Sequence, residues 1–143
     1  MASISTGAAF AVVLTALAGG LDKPHANWTE VDIQMPATQH AYRLLNQQGY
    51  LSSDRADGSA RITPSGSREK ISPQDFFRIV EIAPKAIGSP GALNEPPAGA
   101  DALLRIKTSD GKNYYFVGEQ GHFKDGNAQE IWTILRKYRS DAW

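Results

Sequence analysis

The sequence predicts an α+β fold: a small antiparallel sheet packed against two or three helices, with an apolar N-terminal helix. Three observations predict it. Ser72-Pro73-Gln74-Asp75 has the form of a helix start, with a hydroxyl cap, proline at the first helical position and an acid three residues after the cap. Leu104 and Ile106 alternate with Arg105 and Lys107, and Tyr114-Tyr115-Phe116-Val117 returns after Asp110-Gly111, which is a hairpin pattern. From Gly7 to Ala18 the chain reads GAAFAVVLTALA, with Thr15 as its one polar side chain.

That apolar stretch divides the chain into a signal-like or membrane-anchor segment, 1–21, and a single α+β domain, 22–143. It can be read in three ways. As a secretory signal it has an apolar region of suitable length and an A-x-A-like site at Ala16-Leu17-Ala18, without a Lys or Arg ahead of it. As a membrane anchor it is shorter than the roughly 18 apolar residues of a full span. As a core helix it would be capped by Ser5 or Thr6 and stopped by Gly19-Gly20.

The remaining elements follow in order. Val31, Ile33 and Met35 alternate as a strand does, and Pro36 ends the pattern. Residues 37–47, ATQHAYRLLNQ, set Ala37, Ala41, Leu44, Leu45 and Gln48 on one stripe, which predicts a helix stopped by Gly49. Tyr50-Leu51 and Ala60-Arg61-Ile62-Thr63 flank Asp57-Gly58 as a second hairpin. Phe76, Ile79, Val80 and Ala83 form the buried stripe of a helix over 72–83 that Pro84 ends. Residues 84–101, with four prolines and three glycines, predict a loop. A last helix over 127–139 is capped by Asn127 with Glu130, and buries Ala128, Ile131, Trp132, Leu135 and Tyr138.

Composition removes several chemistries. The chain has 143 residues, enough for one core and too few for two full domains. Its 15 Lys and Arg balance 15 Asp and Glu, so it lacks the basic excess with which a nucleic-acid binder neutralises phosphates. With no cysteine, disulfides, thiolate zinc sites, iron–sulfur clusters and a cysteine nucleophile are excluded. The three histidines, His25, His40 and His122, show no ligand spacing. Gly118-Glu119-Gln120-Gly121-His122 reads as a turn, and Asp125-Gly126-Asn127 lacks the later glutamate of a calcium loop. Trp28 and Trp132 read as core or edge anchors, and Trp143 as a residue that could pack on a partner.

HAYRLLNQQGYL followed by DRADGSARITPSG resembles the end of a recognition helix and the wing of winged-helix transcription regulators. The resemblance covers about a quarter of the chain. It implies Gln39, His40 and Arg43 on a groove-facing helix, with Arg55 and Arg61 on the wing near phosphates. The order helix, hairpin, closing helix in the second half is similar to emfourin-type inhibitors of thermolysin-like proteases, in element order alone.

The sequence therefore points to a non-enzymatic exported or membrane-anchored small binding domain, inhibitor-like or an accessory subunit of a larger complex. It nominates no catalytic, cofactor-binding or metal residue and implies no cofactor. A protein partner is expected, with no nucleic acid, and membrane contact through residues 4–21. The expected location is periplasmic or secreted, with anchoring as its variant. The alternative is an intracellular winged-helix DNA-binding protein.

Overall fold

The computed structural model describes residues 27–35, 38–56, 62–119 and 121–138, so the expected N-terminal apolar helix lies outside the described residues. Nine elements follow one another: β1 (Trp28–Met35), β2 (His40–Leu45), β3 (Tyr50–Ala56), β4 (Ile62–Lys70), α1 (Pro73–Ile87), β5 (Ala102–Thr108), β6 (Asn113–Glu119), β7 (His122–Phe123) and α2 (Gly126–Arg136). The strands form one sheet in the order β4-β3-β2-β1-β5-β6-β7, antiparallel throughout. Three strands, β2 to β4, meander outward from β1, α1 carries the chain back across one face, and β5 restarts on the other side of β1.

This corrects the predicted fold class. In place of a small sheet under two or three helices there is a seven-stranded antiparallel sheet, with only two helices among the described residues. Within the expected helix over 37–47, His40–Leu45 form strand β2. Its side chains alternate between the faces: Tyr42 and Leu44 pair beside Ile33 and Val31, while Ala41 and Arg43 point the other way. Ala41, Tyr42 and Leu44 are all buried, because β2 lies inside the sheet between β1 and β3. Burial on both faces hides a period of two, and the same residues then mimic a helical stripe.

The core fills the face under the helices. Val31 and Ile33 of β1, Leu44 of β2, Leu104 and Ile106 of β5 and Phe116 of β6 meet Ile79 and Ile82 of α1 and Ile131 and Trp132 of α2. Each such side chain, fully buried, contributes about 1.5–3 kcal/mol.

Helix α1 begins as predicted, with the Ser72 hydroxyl accepting the Asp75 N–H at 3.1 Å. It runs on through Pro84 to Ile87, against the expectation that proline ends it. Pro84 has no N–H to give the preceding turn, a defect of about 3 kcal/mol in a helix interior. Buried Ala86 and Ile87 lie beyond it, and their contact with the core offsets that defect. Helix α2 starts two residues earlier than expected. Asp125, not Asn127, is its cap, and its carboxylate accepts the Ala128 N–H at 2.9 Å.

The two hairpins form as expected, with a difference in one turn. β3 and β4 pair across 57–61, where Asp57-Gly58 lies outside the described residues. Between β5 and β6 only Gly111 takes positive φ, at 87°, and Asp110 does not. Thr108 donates its N–H to Lys112 at 3.0 Å and accepts the Gly111 N–H at 3.0 Å, a longer loop than the two-residue turn.

Candidate partner-binding face

Polar residues that alternate with the core strands' apolar ones gather on the sheet face away from the helices. Cross-strand registers place Arg68, Ser52, Arg43, Asp32, Arg105 and Tyr115 in one transverse row across six strands. On one side of it runs Asp54, Ala41, Gln34, Leu103 and Val117, and on the other Leu45, Glu30, Lys107 and Asn113. The middle of this face is an ion-paired wall.

Arg105 is its pivot. Its Nε lies 2.8 Å from Asp32 Oδ2, and its Nη2 bonds the same oxygen and, at 2.9 Å, Glu30 Oε2. Arg43 makes a second pair, Nε to Asp54 Oδ2 at 2.8 Å. Asp32 and the Asp54 side chain are sealed from solvent, so both charges depend on their guanidinium partners.

Electrostatics follow from that geometry. Burial pushes the Asp32 carboxyl well above the usual aspartate range, Arg105 pulls it back, and the neighbouring Glu30 pushes it up again. Burial likewise raises Asp54, against the pull of Arg43. For Arg105 burial alone would lower the pKa, but Asp32 and Glu30 outweigh it and hold the group cationic.

The face also holds unmet hydrogen-bonding capacity. Four buried side-chain polar atoms among the described residues have no partner, and three belong to this face: Asp32 Oδ1, Gln34 Nε2 and Asn113 Oδ1. The fourth, Trp28 Nε1, belongs to a residue that meets Phe76 of α1 on the helix side, with ring centroids 6.5 Å apart. Leaving such an atom unpaired costs about 1–3 kcal/mol, so three within one face are a concentration of unmet polar groups inside the sheet.

The residues assigned by resemblance to a DNA-reading helix are not brought onto one. Gln39 sits in the turn before β2 at φ 60°, and His40 and Arg43 lie on β2 with Arg43 turned to Asp54. Arg55 stands in β3 opposite His40, and Arg61 lies outside the described residues. Sequence reading missed Glu30, Asp32, Asp54 and Arg105. The available signal was the polar set Glu30, Asp32 and Gln34 interleaved with Val31, Ile33 and Met35, which marks a second strand face.

His122 is exposed at the β6–β7 hairpin. No group of three or more His, Asp or Glu side chains among the described residues could hold a metal ion. No helix among them is long and apolar enough to cross a membrane; the segment 4–21 and Trp143 lie outside the described residues. No known protein family, curated protein or solved structure matches this chain.

Proposed function

We propose that the chain is a non-enzymatic small binding domain, exported or membrane-anchored, that works on a protein partner as an inhibitor or as an accessory subunit. The supporting observation is the sheet face opposite α1 and α2: an ion-paired cluster with three buried polar atoms left unpaired. Its carboxylates are held by arginines rather than poised to move a ligand's proton. Mixed charge across this sheet face suits a polar protein surface better than a polyanion.

Two measurements test this in the native host. Intact mass of fractionated cells should show loss of about the first 18 residues, or full-length chain in the membrane fraction. A photocrosslinking amino acid at Lys107, on this face, should give a discrete protein adduct that the same probe at Phe77, exposed on α1, does not. Full-length chain in the soluble cytoplasm would remove export from the reading. Equal labelling from both positions would remove this face as the binding surface.

A further inference from the structure

A β-bulge shapes the end of the sheet where β1 begins. Trp28 pairs with Thr108 and Glu30 with the adjacent Lys107, so Thr29 is an extra residue in β1. A strand without the bulge would turn Trp28 to the same face as Glu30 and Asp32. The extra residue sends it to the helix side, where its ring meets Phe76. Asn46, just after β2, fixes the bulge from the neighbouring strand. Its backbone N–H donates to Thr29 O at 3.0 Å and its Nδ2 to Trp28 O at 2.7 Å. From the β5–β6 turn, Ser109 donates its N–H to Asn27 O at 2.8 Å.

A cavity of about 370 Å³ lies among these segments, within the roughly 300–1,000 Å³ of small-molecule sites. The start of β1 lines it with Asn27, Trp28 and Thr29, the end of β2 and the turn after it with Leu45–Gln48, and the β5–β6 turn with Ser109. None of these side chains is charged. The side-chain amides of Asn27, Gln47 and Gln48 and the Ser109 hydroxyl belong to exposed residues and make no hydrogen bond among the described residues. Asn46 spends its Nδ2 on Trp28 O and keeps Oδ1 as an acceptor. Trp28 Nε1 is a buried donor without a partner among the described residues.

We infer that this cavity binds a neutral carbohydrate of one or two rings. The chemistry of the wall selects the class. A carboxylate or phosphate would find no cation among the lining residues, and an amine would find no carboxylate. A sugar hydroxyl donates and accepts at once, and a side-chain amide offers both partners from one rigid plane. Amides from two separate segments, Asn27 on one side and Gln47 with Gln48 on the other, can then hold neighbouring hydroxyls of one ring. Leu45 and Trp28 give the less polar face of that ring an apolar contact. Binding here does not depend on the protein-binding reading above.

The test is an NMR titration of the full chain with cellobiose, maltose and N,N′-diacetylchitobiose, each to about 20 mM, and with galacturonate. At least one neutral sugar should move the Trp28 indole N–H and the side-chain amides of Gln47 and Gln48. The Trp132 indole, which donates to Gly121 O at 3.2 Å, should stay in place. Gln47→Ala and Gln48→Ala change exposed side chains and should keep the fold, and each should raise the Kd of that sugar about two- to tenfold. Lys85→Ala, exposed near the C-terminal end of α1, should leave the Kd unchanged. No movement of these groups with any of the three sugars would overturn the inference. So would tighter binding of galacturonate than of all three, or a Kd that neither glutamine affects.

Discussion

Arg105 of β5 closes on Asp32 of β1, neighbours across the centre of the sheet, with Nε 2.8 Å from Oδ2 on the face opposite α1 and α2. The carboxylate is sealed and its other oxygen has no partner, so this one guanidinium carries nearly all of its compensation. A buried ion pair is weak support for stability as a whole, yet losing one partner strands the other charge.

Arg105→Leu should therefore lower unfolding stability by about 3–5 kcal/mol at neutral pH. The double variant Asp32→Leu with Arg105→Leu should be more stable than Arg105→Leu alone. Urea unfolding of the four proteins in the cycle measures both. A single variant within about 0.5 kcal/mol of the parent would show that Asp32 is neutral in the folded chain.

Acidity provides an independent check. Asp32 is pushed up by burial, against Arg105, so the folded chain keeps this proton to a higher pH than the unfolded chain does. From the ordinary aspartate value of about 3.9 up to the folded value, the native state binds more protons, and stability falls as pH rises through that window. Asp54, raised by burial against Arg43, acts in the same sense. Asp75 acts in the opposite one. The Tyr138 hydroxyl lowers it first, burial opposes this, and Lys137 and Ser72 add to the lowering. Its contribution is present above the ordinary value and lost as pH falls through the folded one. Asp32→Asn should flatten the decline of stability as pH rises above the ordinary aspartate range. An unchanged slope in denaturant midpoints would locate the titration elsewhere.

Pro84 lies inside α1, three residues before its end, with buried Ala83 on one side and Ala86 and Ile87 beyond. Pro84→Ala restores a backbone donor at an exposed position, and should raise stability by about 1–3 kcal/mol. Thermal unfolding followed by circular dichroism reads the gain. A loss would mean that proline at this position is needed to bring Ile87 onto the core.

Gln39 holds φ 60° in the turn between β1 and β2, the left-handed region that costs a side chain about 1–2 kcal/mol. Gln39→Gly removes that strain and adds chain entropy to the unfolded state. The net effect should be a gain of up to about 1 kcal/mol by chemical denaturation. Gln39→Val should be clearly worse than either, since a branched side chain tolerates this region least.

Much of the local structure could be read from the residues in order. Ser72-Pro73 with Asp75 specifies where α1 begins, because a hydroxyl cap and a proline act within one turn. Leu104 and Ile106 facing Phe116 and Tyr114 across Gly111 specify the β5–β6 hairpin, because its contacts span few residues. Even the candidate face left a trace, in the polar residues interleaved along β1. Only tertiary structure decided that HAYRLL is a strand: β1 and β3 supply its backbone partners and bury both its faces, which overrides an apparent helical stripe. The same holds for the end of α1, where packing beyond Pro84 outweighs the local defect. Asp32 and Arg105 stand 73 residues apart and meet because α1 returns the chain to the far side of β1. Short-range chemistry belongs to the sequence, whereas a neighbour across a sheet exists only after the strands have chosen their order.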